Sequence, residues 1–131
     1  MTRICQGIDI VDISKFLKVF FNHKEFISDI FTEKERNYYL RKQQPVLHFA
    51  RCFAVKEASL KALGIGFSGI GIGHVFQEIE VLPNTSGKTR ISFAGWTAKI
   101  CKKRRVNQVS FSISHTSRQA IAYVLLAGNQ N

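Results

Sequence analysis

The spacing of apolar residues changes once along this chain, and that change constrains the fold more than any other feature. Between an opening strand and residue 64, apolar positions recur every three or four residues; beyond it they recur mostly every two. Residues 3–11 (RICQGIDIV) are β-branched and apolar in both phases, which predicts a strand buried on both faces. Asp12 is a good N-cap, and Ile13, Phe16, Leu17, Phe20 and Phe21 follow at the spacing of one helical stripe. Thr32 and Glu35 form a capping-box pattern for a second helix running to about Arg41. Pro45 opens a third helix that Gly64 stops. Val75–Leu82 and Thr89–Ala94 flank a turn at residues 83–87 and predict a hairpin. A short helix over 95–103 follows. Val109, Phe111 and Ile113 then alternate with Ser110, Ser112 and Ser114, and Gln119–Ala127 supplies a last strand. The order βαααββαββ predicts an α+β fold, a mostly antiparallel sheet with packed helices, in one domain over residues 1–131.

Charge narrows the ligands. None of the 9 acidic residues lies beyond Glu80, whereas 8 of the 19 basic residues do, and the formal net charge is +10. Such a field attracts anions such as nucleic acid, anionic lipid, phosphorylated small molecules or an acidic protein, and disfavours a cationic ligand. The longest apolar run, Ala120 to Ala127, is too short to cross a bilayer, so no membrane partner is expected. No basic-then-apolar leader opens the sequence, and Cys5, Cys52 and Cys101 form no paired pattern. Free thiols and the missing leader lead us to expect a cytoplasmic protein.

Two acids stand in surroundings that do not suit them. Asp9 lies between Ile8 and Ile10, and Glu57 borders the helical arc of Phe49, Phe53, Leu60 and Leu63. A carboxylate among apolar groups is costly unless paired. Either each is satisfied by a neighbouring lysine or backbone donors, or both converge on one hard cation with phosphate oxygens, as at magnesium sites. Lys61, one turn after Glu57, either forms an i, i+4 pair with it or reaches a phosphate. Lys56 points into the apolar arc, so its head either emerges past a packed stem or lines a polar cleft.

Other motifs carry less. The GxGxxG match at residues 64–69 follows a helix and precedes a strand, the reverse of a dinucleotide fold, although its glycines would let backbone approach a phosphate. Ser114 and His115 are adjacent on a strand and face opposite ways, which argues against a hydrolase pair. His115 reads as a turn residue, and His23, His48 and His74 as incidental, since none has metal-ligand spacing.

Taken together, GIDIVDISKF (7–16), FTEKE (31–35), FAVKEASLKALGIG (53–66), IEV (79–81) and SISHT (112–116) resemble the holo-acyl-carrier-protein synthases, the short bacterial 4′-phosphopantetheinyl transferases. The resemblance runs in order through most of the chain. It implies transfer of the phosphopantetheine arm of coenzyme A to a serine of apo acyl carrier protein, in support of fatty acid biosynthesis. By it Asp9 and Glu57 hold magnesium, and Lys61 stabilises charge on the leaving side. Gly64 and Gly66 shape the coenzyme A pocket, and His115 and Thr116 contact its nucleotide end. Lys15 and Lys18 meet the acidic carrier protein, and three copies form a homotrimer with active sites between subunits. The chain departs from the pattern in Lys15 for the usual arginine, in SGKT (86–89) for the usual NGKP, and in a dense basic cluster over Lys99–Arg105. A rival reading, a non-catalytic RNA-binding domain, accounts for the charge but leaves Asp9 and Glu57 unexplained; no nucleic acid is expected as a partner.

Overall fold

The computed structural model describes residues 2–65 and 72–129. Strand β1 (Thr2–Asp12) passes directly into helix α1 (Ile13–Asn22), because the Asp12 carboxylate accepts the Lys15 backbone N–H at 3.0 Å and closes the first turn. Non-helical backbone at His23 ends α1 and begins a short helix, α2 (Lys24–Ile30), which the spacing of apolar residues does not reveal. The capping box forms as read and starts α3 (Glu33–Leu40): Glu35 N–H donates to Thr32 Oγ1 at 3.1 Å, and Thr32 N–H to Glu35 Oε1 at 2.9 Å.

Helix α4 (Pro45–Ala62) starts on its proline and stops at Gly64, whose φ of 73° places it in the left-handed region. Then come α5 (Ile72–Gln77), the hairpin β2 (Ile79–Pro83) and β3 (Thr89–Phe93), α6 (Gly95–Lys103), β4 (Val106–His115) and β5 (Gln119–Asn129).

The α+β expectation holds, with a three-stranded antiparallel sheet in the order β1–β5–β4 and the separate β2–β3 hairpin. Helix α4 lies across β1 and β5, and the core includes Phe16, Phe31, Phe49, Val55, Leu63 and Leu126.

Two expectations are corrected. Residues 75–77, read as the start of a strand, are helical, and the strand begins at Ile79. Aromatic and β-branched residues read as strand locally, yet here α5 packs on α2 and carries Phe76 into the core. Strand β1 is not buried on both faces. Gly7, Asp9 and Val11 face α4, while Ile4, Ile8 and Ile10 are each more than half exposed on the open side of the sheet. The helices cover only one face.

Arg105, at the turn from α6 into β4, has a φ of 57°. A side chain in the left-handed region costs about 1–2 kcal/mol that glycine avoids. Arg105→Gly is expected to stabilise the fold by about 1 kcal/mol; a lowered melting temperature would contradict this.

Candidate active site

Gly7 is where β1 and α4 touch backbone to backbone. A Cβ there would overlap the Ala58 carbonyl oxygen and lie 2.7 Å from the Ala62 nitrogen. Two residues on, on the same face of β1, the nearly buried Asp9 carboxylate meets α4. Lys61 Nζ sits 2.7 Å from Asp9 Oδ1 and donates to the Ile8 carbonyl at 3.2 Å. The lysine thus reaches across to the strand instead of pairing along the helix with Glu57. Glu57 adjoins Asp9 as well. Burial, then the Asp9 charge, push its carboxyl up to about 7, and Lys61 opposes the shift only in part.

Asp9, Glu57 and Lys61 therefore converge, with two adjoining carboxyl groups and one ammonium that pairs with Asp9. Among the described residues no group of three His, Cys, Asp or Glu could hold a metal. Two hard oxygen donors with an uncompensated charge suit magnesium, which commonly takes one or two carboxylates and leaves its remaining positions to substrate phosphates and water.

The surroundings explain which side chains a ligand would meet. A cleft of about 840 Å³ opens beside Glu57, lined among others by Val11, Lys15, Phe16, Phe26 and Phe53. Lys15 lines this cleft, and Lys18 is exposed on α1. His23 also borders it.

Lys56 follows neither course expected of it. It is fully buried in a 2.8 Å ion pair with fully buried Glu35 and donates to the carbonyls of Phe76 and Ile79 at 2.7 and 2.6 Å. Glu35 Oε2 accepts from the Val81 N–H at 2.8 Å. With every charge satisfied, this network ties α3, α4, α5 and β2 together.

His115 ends β4, exposed, and Thr116 closes the turn after it: Thr116 Oγ1 accepts the N–H groups of Arg118 and Gln119, each at 3.1 Å. A second pocket of about 170 Å³ is lined by Tyr38, Lys42, His48, Arg51, Thr89 and Ile113, among others. Burial first, then the charges of Arg51, Lys42 and His115, lower the His48 pKa, so these four groups share one positive field. Arg51 Nε is buried and has no hydrogen-bond partner among the described residues. Gly64 lies at the end of α4; Gly66 falls outside the described residues.

Comparison with known proteins decides what this arrangement belongs to. The sequence profile of the 4′-phosphopantetheinyl transferase superfamily matches residues 6–124. The chain belongs to that superfamily. Among its relatives, the holo-[acyl-carrier-protein] synthase of Caldanaerobacter subterraneus is 33% identical over 129 residues, 98% of both chains. That of Syntrophus aciditrophicus is 36% identical over 123 residues, 93% of this chain and 94% of the other. The structure of a coenzyme A complex of the Chronobacterium ammoniagenes enzyme superposes with a TM-score of 0.82 at 25% identity, covering 98% of this chain and 99% of that one. The Bacillus anthracis synthase, solved with CoA (3′,5′-ADP), gives 0.75 at 30% identity over 98% and 100%. A transferase family disposes of the RNA-binding reading.

In this transferase sequence reasoning did not bring together Lys42, His48 and Arg51, which line the second pocket. Their signal is weak, since an arginine or histidine inside a helix is ordinary, and His48 reads as incidental until its neighbours are known. Glu57 carries a pH prediction for the metal-free transferase. A folded-state pKa raised from 4.5 to about 7 contributes stability that is present at low pH and lost as pH rises through about 7. The melting temperature of wild type minus that of Glu57→Gln should therefore fall between pH 5 and pH 8. A difference independent of pH would show that Glu57 is not perturbed.

Proposed function

We propose that this transferase moves 4′-phosphopantetheine from coenzyme A to a serine of apo acyl carrier protein, requires magnesium, and serves fatty acid biosynthesis in the cytoplasm. The observation that carries the reading is the convergence of Asp9, Glu57 and Lys61 beside an open cleft. In the reaction the serine oxygen bonds to the β-phosphorus of the coenzyme A pyrophosphate, the bond to the bridging oxygen breaks, and adenosine 3′,5′-bisphosphate leaves. Asp9 and Glu57 would hold magnesium, which when bound supplies Lewis-acid neutralisation of pyrophosphate charge. Lys61, anchored on Asp9, brings a point charge to the same place for the leaving oxygen. The serine must lose a proton, which Glu57 would accept directly or through a water.

Lys42 and Arg51 would offer a cationic pocket, lined also by His48, to the nucleotide end, with His115 and Thr116 on the turn nearby. Gly64 and Gly66 would border the same substrate. Lys15, at the edge of the cleft, and Lys18 would receive the acidic carrier protein. The open isoleucine face of β1 supports burial against further copies, in a homotrimer with active sites between subunits.

The deciding experiment incubates the protein with coenzyme A, magnesium and apo carrier protein and weighs the carrier protein. A gain of one phosphopantetheine is expected, and an unchanged mass in the presence of bound coenzyme A would overturn the reading. Calorimetry in buffers of different ionisation heat should also record protons released when magnesium is added near pH 7, because binding needs the Glu57 carboxylate. His115→Ala should weaken coenzyme A binding by about 1.5–3 kcal/mol, the range for a charged hydrogen bond. Dephospho-coenzyme A should lose much less. Equal losses for both nucleotides would mean that His115 only shapes its turn.

A further inference from the structure

The end of α4 poses an electrostatic problem. Helix carbonyl ends carry partial negative charge, and the C-terminal end of α4, capped by Leu63 and followed by Gly64, is the wrong end of a helix to meet an anionic nucleotide. The N–H groups there are already used, Gly64 donating to Lys61 O at 3.0 Å and Ile65 to Leu60 O at 2.9 Å. Arg104 stands at this point. Its neighbours Lys99, Lys102, Lys103 and Arg105 are exposed, but Arg104 is half-buried and donates from Nη1 to the Leu63 carbonyl. The guanidinium lies along Gly64, where a Cβ would be 3.6 Å from both Nη1 and Nη2. Among the described residues no carboxylate pairs with it. One N–H of five is committed to Leu63, and no other hydrogen bond of the guanidinium is seen among the described residues.

We propose that Arg104 is a coenzyme A ligand of this transferase, its guanidinium presenting N–H donors over Gly64 to a phosphate oxygen of the nucleotide. The inference rests on the reading that coenzyme A binds beside Gly64, and it gives one member of the basic cluster a role its neighbours lack. Arg104 cancels the negative helix end and supplies a planar fork suited to phosphate. Glycine at 64 keeps the approach open.

The test is calorimetric titration of coenzyme A into the full-length protein, with melting temperatures recorded alongside. R104L should weaken binding about ten- to a hundredfold, the equivalent of a charged hydrogen bond. R104K, which keeps the charge without the fork, should fall between R104L and wild type. K103L, which removes an exposed charge next door, should change affinity less than about twofold, as expected for a screened surface charge. R104L binding like wild type with a lowered melting temperature would overturn the proposal and leave Arg104 as a helix cap. So would equal losses in R104L and K103L, which would reveal only a diffuse field. If R104L does not fold, R104K decides, and wild-type affinity in it overturns the proposal. Failure of the wild-type protein itself to bind coenzyme A would instead overturn the functional reading.

Discussion

Asp9→Ala and Glu57→Gln are each expected to abolish phosphopantetheine transfer while the protein stays folded. Removing Asp9 leaves Lys61 unpaired, but that ammonium is partly exposed and regains water, so no buried charge is stranded. Glu57→Gln removes a carboxyl that burial and Asp9 already hold largely protonated below pH 7, and the amide matches it in shape. The loss falls on the transition state, where several kcal/mol of charge stabilisation disappear with the magnesium these two carboxylates would hold. That corresponds to at least about a thousandfold in rate. Time courses of carrier-protein mass, with melting temperatures as controls, provide the check. Wild-type turnover by either variant at saturating magnesium would end the assignment of that residue.

Gly7→Ala carries the largest expected effect on the fold. The atoms its methyl group would meet belong to the backbone of α4, at Ala58 and Ala62, and cannot swing aside as a side chain would. Accommodation requires β1 to lift from α4, which opens the core and separates Asp9 from Glu57 together. We expect a loss above about 3 kcal/mol, the upper end of overpacking costs, and loss of activity in whatever folds. Gly87→Ala serves as the control: its φ of 87° also disfavours a side chain, yet nothing lies within 4 Å, so it should lose about 1 kcal/mol and keep its activity. Denaturant midpoints compare the two, and equal midpoints would show that β1 can shift freely.

The contrast between these glycines marks the division between what the chain states locally and what only packing decides. Asp12, the Thr32–Glu35 box and Gly64 were legible because a cap satisfies backbone groups within three or four residues, all of them visible in one window of sequence. The alternation of β4 was legible in one window as well, whereas the α1–α2 break and the start of β2 were not. The pairing of Asp9 with Glu57 came from motif resemblance, since no local rule brings together residues so far apart. Tertiary structure alone chose the partner of Lys61, which local spacing offered to Glu57 and packing delivered to Asp9. It alone buried Lys56 against Glu35, made residues 72–77 a helix, and left one face of β1 open. It also gathered Lys42, His48, Arg51 and His115 from three separate stretches of chain and set Arg104 on the end of α4. A charge takes its partner from whatever the packed backbone brings within about 3 Å, and that distance is a property of the fold.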